Sequence, residues 1–130
     1  MHPRPLSPHA TVYRYLYTIT GSFAHRVSGV ALSAGLVVLT CWLVAAASGA
    51  EAFADVSALL SGAVVKVLLA LWLAAFCYHL FNGVRHLAWD LGYGFEKRDA
   101  RRSFRVTVAA ALILFAVLGW LLFVRGGAAP

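Results

Sequence analysis

The sequence predicts an all-α integral membrane protein with three transmembrane helices, and two observations lead there. Of 130 residues, 62% belong to the apolar set AVILMFWYC and 12% are charged, with a mean hydropathy of +0.79. An ordinary soluble domain has roughly 45–50% apolar and about 25% charged residues, and a fold this small leaves too much surface in water to hide so many apolar side chains. The apolar residues also gather into three runs, 27–47, 63–84 and 106–124. Each is close to the ~20 residues an α-helix needs to cross ~30 Å of hydrocarbon. The same composition argues against a disordered chain. It also argues against a nucleic-acid binder, despite a formal charge of +6 and a pI near 9.9; the cations suit a membrane protein that keeps them outside the lipid.

Taken in order, residues 1–21 hold three of the four prolines and read as an extended segment outside the bilayer. The first span, about 22–47, starts too late and runs too long for a cleaved signal. Residues 48–61, with Glu51 and Asp55, read as a short polar connection. The second span covers about 62–89, a charge-dense connection follows over 90–103, and the third span covers about 104–124. With no internal repeat or low-complexity tract, 1–130 reads as a single membrane domain. Three spans put the N-terminus and the second connection on one side. That side carries nine cations: Arg4, Arg14, Arg26, Arg85, Lys97, Arg98, Arg101, Arg102 and Arg105. The other carries two, Lys66 and Arg125. The bias predicts a cytoplasmic (or matrix) N-terminus and a C-terminus facing away. Cys41 and Cys77 both lie in apolar runs, without a CxxC, a CxxCH or a Cys/His cluster. Zinc, an iron–sulfur cluster and covalently attached haem are therefore not indicated, and the thiols read as packing residues.

Polar residues within a span are costly and mark function. At ~100° per residue, Ser22, His25, Arg26, Gly29 and Ser33 share one face of the first span. A plain account has Ser22 capping the helix, Arg26 snorkelling to the surface and the small residues packing against a neighbour. The second span ends with His79, Asn82, Gly83, His86 and Asp90 on one face and Tyr78, Arg85 and Trp89 on a neighbouring stripe. His79 lies seven residues deeper than His86, about 10 Å at 1.5 Å per residue. A glycine between two histidines lets a flat ring or another helix approach, and neutral imidazole is a common iron ligand, so haem between helices is the sharp alternative to a hydrogen-bonded core histidine. The first span runs outward and the second returns, so His25 and His86 should lie at similar depth. Spacing alone leaves open a His25–His86 pair within this chain, or His79 with a partner from elsewhere.

Three ordered motifs, Arg4-Pro5-Leu6-Ser7-Pro8-His9 followed by Tyr13, Ser22-x-x-His25-Arg26-x-Ser28-Gly29, and His79-x-x-x-Gly83-x-Arg85-His86-Leu87-x-x-Asp90, together resemble the cytochrome b membrane-anchor subunits of succinate dehydrogenase, respiratory complex II. The resemblance runs from residue 3 to the loop after Gly94; the third span is generic. It implies a larger helical bundle shared with a small partner anchor subunit. It further implies haem b with His79 as one axial iron ligand and the second ligand from that partner, which decides against the His25–His86 pair. Ser22 and Arg26 match residues that bind the ubiquinone headgroup, and His25, Arg26 and His86 match the surroundings of the haem propionates. The implied partners are the flavoprotein and iron–sulfur subunits besides the small anchor. Without a dinucleotide fingerprint, flavin site or cluster ligands, the chain is expected not to be an enzyme on its own. Little precedes the proline-rich opening, which suits a bacterial inner-membrane protein rather than a mitochondrial one. The rival readings are the anchor of a quinol–fumarate reductase, a proton pathway through His25, His79, His86 and Asp90, and a purely structural anchor.

Overall fold

A computed structural model describes residues 17–125. The described chain forms α1 (Tyr17–Ser48), α2 (Ala50–Leu60), α3 (Ala63–Asp90) and α4 (Lys97–Gly119), the last running on into a π-helical turn, Trp120–Arg125. Among the described residues there is no strand. The helices Tyr17–Ser48, Ala63–Asp90 and Lys97–Phe123 are each long and apolar enough to cross a membrane. No proline falls between residues 17 and 125, so nothing interrupts the hydrogen-bond ladder that a lipid-facing backbone requires.

Two of the three breaks between the helices have a local cause in a glycine. Gly49 takes φ 122°, which only glycine adopts without strain, and its carbonyl accepts from the Phe53 amide at 3.1 Å to start α2. At the end of α3, Gly92 at φ 87° lets its own amide reach the Trp89 carbonyl (2.8 Å) and the Tyr93 amide reach the Ala88 carbonyl (3.0 Å). This glycine-terminated cap stops α3 and turns the chain toward α4.

Three sequence expectations are corrected. Residues 48–61 are not a plain connection: Ala50–Leu60 is helical. Ala52, Phe53, Val56, Leu59 and Leu60 recur at helical spacing and Glu51 sits favourably in the first turn, so a 3.6-residue period lies beneath the polar composition. Phe53 packs on Trp42 of α1 with ring centroids 5.5 Å apart. The segment 1–21 is not extended throughout, since α1 begins at Tyr17, whose hydroxyl donates to the Lys97 carbonyl at 3.0 Å. The second connection shrinks to residues 91–96, because α4 starts at Lys97 and takes in the basic run; lysine and arginine are good helix formers. The remainder of the segment 1–21 lies outside the described residues.

The interior reverses that of a soluble protein. Buried residues are small or polar: Ala45, Cys77, Ala100 and Ala111, with Ser28, Asn82, Arg85 and Thr107. Large apolar side chains such as Val30, Leu36, Val64 and Leu112 face outward. Lipid solvates apolar groups as well as a core does, so close packing of small residues joins the helices. On α1 those residues are Gly21, Ser28 and Gly35, seven apart. A methyl on Gly21 would meet the Phe104 ring of α4 at 3.1 Å, and one on Gly35 would meet the Trp72 ring of α3 at 3.1 Å. Arg85, counted among the nine cations of the N-terminal side, is also interior, at 5% exposure. It belongs to helix packing and leaves eight flanking cations against two.

Candidate functional site

The contacts of Gly21 with Tyr78 and of Gly35 with Trp72 show that α1 and α3 run antiparallel. This brings His25 of α1 to the level between His79 and His86 of α3, nearer His79, whereas equal-depth counting expects it level with His86. The His25 ring stacks on His79 (centroids 3.9 Å apart, 13° between planes) and lies 5.0 Å from the His86 ring at 43°. His86 in turn meets Trp89 edge-on at 5.2 Å. Rings this close are in direct contact, which leaves no room for a haem plane between His25 and either partner. No hydrogen bond joins the three rings among the described residues, and His25 Nδ1 is buried there without a partner.

His79 is held at one edge. Its Nδ1 lies 3.0 Å from Ser28 Oγ and 3.2 Å from the His25 carbonyl, and Ser28 Oγ donates to that same carbonyl at 2.8 Å. A carbonyl can only accept, and the serine proton is already committed to it. Nδ1 therefore carries the ring hydrogen and donates to both oxygens. The other nitrogen, Nε2, keeps its lone pair and has no hydrogen-bond partner among the described residues. Gly29 makes this position possible: a Cβ there would stand 3.1 Å from His79 Cε1. Gly83, the residue expected to admit a flat ring, faces the His25 ring, and a Cβ there would be at an ordinary 3.8 Å from His25 Cε1.

Ser22 and Arg26 lie one turn apart on α1, Ser22 half-buried and Arg26 exposed. Neither side chain has a hydrogen-bond partner among the described residues. Ser22 is the sixth residue of α1, beyond the first turn, so it does not cap the helix. Asp90 ends α3 and is exposed.

A second polar cluster backs this face. The Arg85 guanidinium donates from Nε to Ser103 Oγ (3.0 Å), from Nη2 to the Ala100 carbonyl (3.1 Å) and from Nη1 to Asn82 Oδ1 (3.4 Å). It lies 3.9 Å from the centre of the Trp89 ring. Tyr78 donates its hydroxyl to the Gly21 carbonyl at 2.8 Å. Arg85 thus fastens α3 to α4 immediately behind the turn of α1 that carries Ser22. Cys41 and Cys77 are free thiols, the first exposed and the second buried.

Residues 1–118 match the family described as the succinate dehydrogenase/fumarate reductase transmembrane subunit. The chain belongs to that family. The match takes in all of α1, α2 and α3 and nearly all of α4. The chain is 40% identical over 120 residues to the succinate dehydrogenase cytochrome b556 subunit of Paracoccus denitrificans, covering 92% of each chain. It is 36% identical over 115 residues to that of Rickettsia typhi (strain ATCC VR-144 / Wilmington), covering 88% of this chain and 90% of that one. It is also 35% identical over 95 residues to the mitochondrial cytochrome b560 subunit of Homo sapiens, covering 72% of this chain and 56% of that one. A protein of this family with three spanning helices is an integral membrane protein and a subunit of a larger complex.

Three residues of the cluster carry no expectation from the sequence: Ser28, Asn82 and Arg85 in its packed role. Ser28 has a signal, since it falls midway in the small-residue series Gly21, Ser28, Gly35. Asn82 and Arg85 are marked only as polar residues within a span; the clamp on α4 is not, because Ser103 and Ala100 come from a segment that composition reads as a loop.

Proposed function

We propose that this chain is the cytochrome b anchor of a succinate:ubiquinone oxidoreductase in a bacterial inner membrane. In this reading it holds one side of a haem b with a small partner anchor and forms part of the ubiquinone site. Flavoprotein and iron–sulfur subunits docked at the N-terminal side oxidise succinate, and the chain is no enzyme on its own. The observation that carries the reading is the state of His79: deep in a span, with Nδ1–H engaged by two oxygens and the Nε2 lone pair left for iron. A ligating histidine uses that arrangement. The stacking of His25 on the ring face does not obstruct it, because the lone pair lies in the ring plane. With one ligand from this chain, the second comes from the partner. His25, Arg26 and His86 lie on the side of the cationic flank, where anionic propionates find partners.

Bound there, haem supplies a one-electron store inside the membrane. The rest is done by side chains. Ser22 Oγ–H, without a partner among the described residues, can donate to a quinone oxygen, and Arg26, one turn away, is a permanent cation that stabilises negative charge developing on the headgroup. The placement of Ser22 beyond the first turn supports this role over capping. The names of the relatives favour succinate oxidation over the reverse reaction. A proton relay through His25, His79, His86 and Asp90 is disfavoured by the stacked rings, which have no hydrogen bond between them among the described residues.

The purified complex tests the quinone site. Ser22→Ala and Arg26→Leu are expected to slow succinate-driven ubiquinone reduction about tenfold or more, the effect of losing one charge-stabilising donor. Succinate oxidation with an artificial acceptor that draws from the soluble subunits should persist. Normal quinone kinetics in both variants would reject the site, and equal loss of both activities would point to failed assembly.

A further inference from the structure

We infer that Ser28 is a positioning and potential-setting residue for the haem iron, acting through the Nδ1–H of His79. The inference rests on the assignment of His79 as ligand and adds a residue and a direction to it. Three observations carry it. Ser28 is buried at 6% exposure on the α1 face that packs against α3. Its Oγ donates to the His25 carbonyl at 2.8 Å, which turns an oxygen lone pair toward α3. That lone pair meets His79 Nδ1 at 3.0 Å.

A serine in mid-helix ordinarily returns its hydroxyl to its own backbone and ends there. Ser33, Thr40 and Ser48 on the same helix do so, at 2.8–3.0 Å. Ser28 alone among these hydroxyls also reaches a titratable ring on another helix. The bond has two consequences. It fixes the tautomer, keeping the hydrogen on Nδ1 and the lone pair on Nε2, and with Gly29 beneath Cε1 it fixes the rotation of the ring. It also draws the Nδ1 proton toward oxygen, which makes Nε2 a stronger electron donor. A stronger donor stabilises the oxidised, more positive iron, so the bond holds the haem midpoint potential down.

The test compares two side chains of equal shape in the whole complex. Ser28→Thr keeps the hydroxyl; Ser28→Val replaces it with a methyl group. Potentiometric titration of the reduced b-type absorption band is expected to give a midpoint for Ser28→Thr close to that of the unsubstituted complex. For Ser28→Val it should shift upward, with the far-ultraviolet dichroism of both variants unchanged. Haem retained by Thr and lost by Val would also support the role, since only the hydroxyl differs. An unshifted or lowered midpoint in Ser28→Val would overturn it, as would loss of haem from both variants, which would mean that volume and not the hydroxyl is required. Absence of haem from the unsubstituted complex would remove the inference together with the reading it rests on, whereas an unshifted Val midpoint removes the inference alone.

Discussion

Small side chains decide where the histidine rings sit. Gly29 and Gly83 flank the histidine stack from opposite helices, and their clearances differ. A methyl at Gly29 would press on His79 Cε1 at 3.1 Å, and one at Gly83 would rest against His25 at 3.8 Å. Cε1 lies between the two ring nitrogens, so a shift of a few tenths of an ångström there re-aims Nε2 as well. Gly29→Ala is therefore expected to lower haem occupancy or shift the reduced b-type band, with helix content unchanged. Gly83→Ala should leave both near normal. Absorption spectra and dichroism of the two variants, read side by side, check this ranking; the reverse order would contradict it. His79, His25 and His86 were legible from the sequence because a histidine in an apolar run is conspicuous. The tight glycine was not, because spacing identifies a glycine without saying which ring it faces. Ser28 stayed hidden for a related reason: a serine three residues beyond a histidine in a helix is ordinary until the opposing helix is in place.

At the scale of elements, the helices are joined by a small-residue seam and one buried cation. Gly35 packs under Trp72 with a virtual Cβ at 3.1 Å from two ring carbons. Gly35→Ala should therefore overpack the α1–α3 seam, at about 1–3 kcal/mol, and lower the thermal midpoint of the detergent-purified complex. Arg85 fastens α3 to α4 through Ser103 and the Ala100 carbonyl. Hydrogen bonds between membrane helices are worth about 0.6 kcal/mol on average and up to about 1.7. Losing two of them together with the stack on Trp89 predicts a cost of about 2–4 kcal/mol for Arg85→Leu. Arg85→Lys should recover only part, because an ammonium lacks the planar fork. A melting curve for Arg85→Lys that coincides with the unsubstituted protein would contradict the clamp. The three spans were readable from apolar length alone, because crossing lipid demands it. The helix Ala50–Leu60 and the early start of α4 were obscured by their charges, since composition separates polar from apolar stretches but does not separate a polar helix from a loop. Arg85 was misplaced for the same reason, its partners lying 15 and 18 residues onward in that segment.

Across the whole molecule, the buried set is small or polar while large apolar side chains face outward, and most of the described cations gather at one end. With Arg85 removed from the flanks the charge bias stays strong, and it predicts Met1 inside and Pro130 outside. Reporter fusions active in only one compartment test this at each end; a C-terminal fusion active in the cytoplasm would contradict the three-span topology. In the proposed reading this sparse interior is completed by the small partner anchor, which also supplies the second haem ligand. We propose that His79, through Nε2, is the single iron ligand this chain provides. It is tested most directly by the reduced-minus-oxidised absorption spectrum of the purified complex carrying His79→Ala beside one carrying His86→Ala. Loss or strong perturbation of the b-type bands is expected in His79→Ala, and a nearly normal spectrum in His86→Ala. An unchanged spectrum in His79→Ala would contradict it.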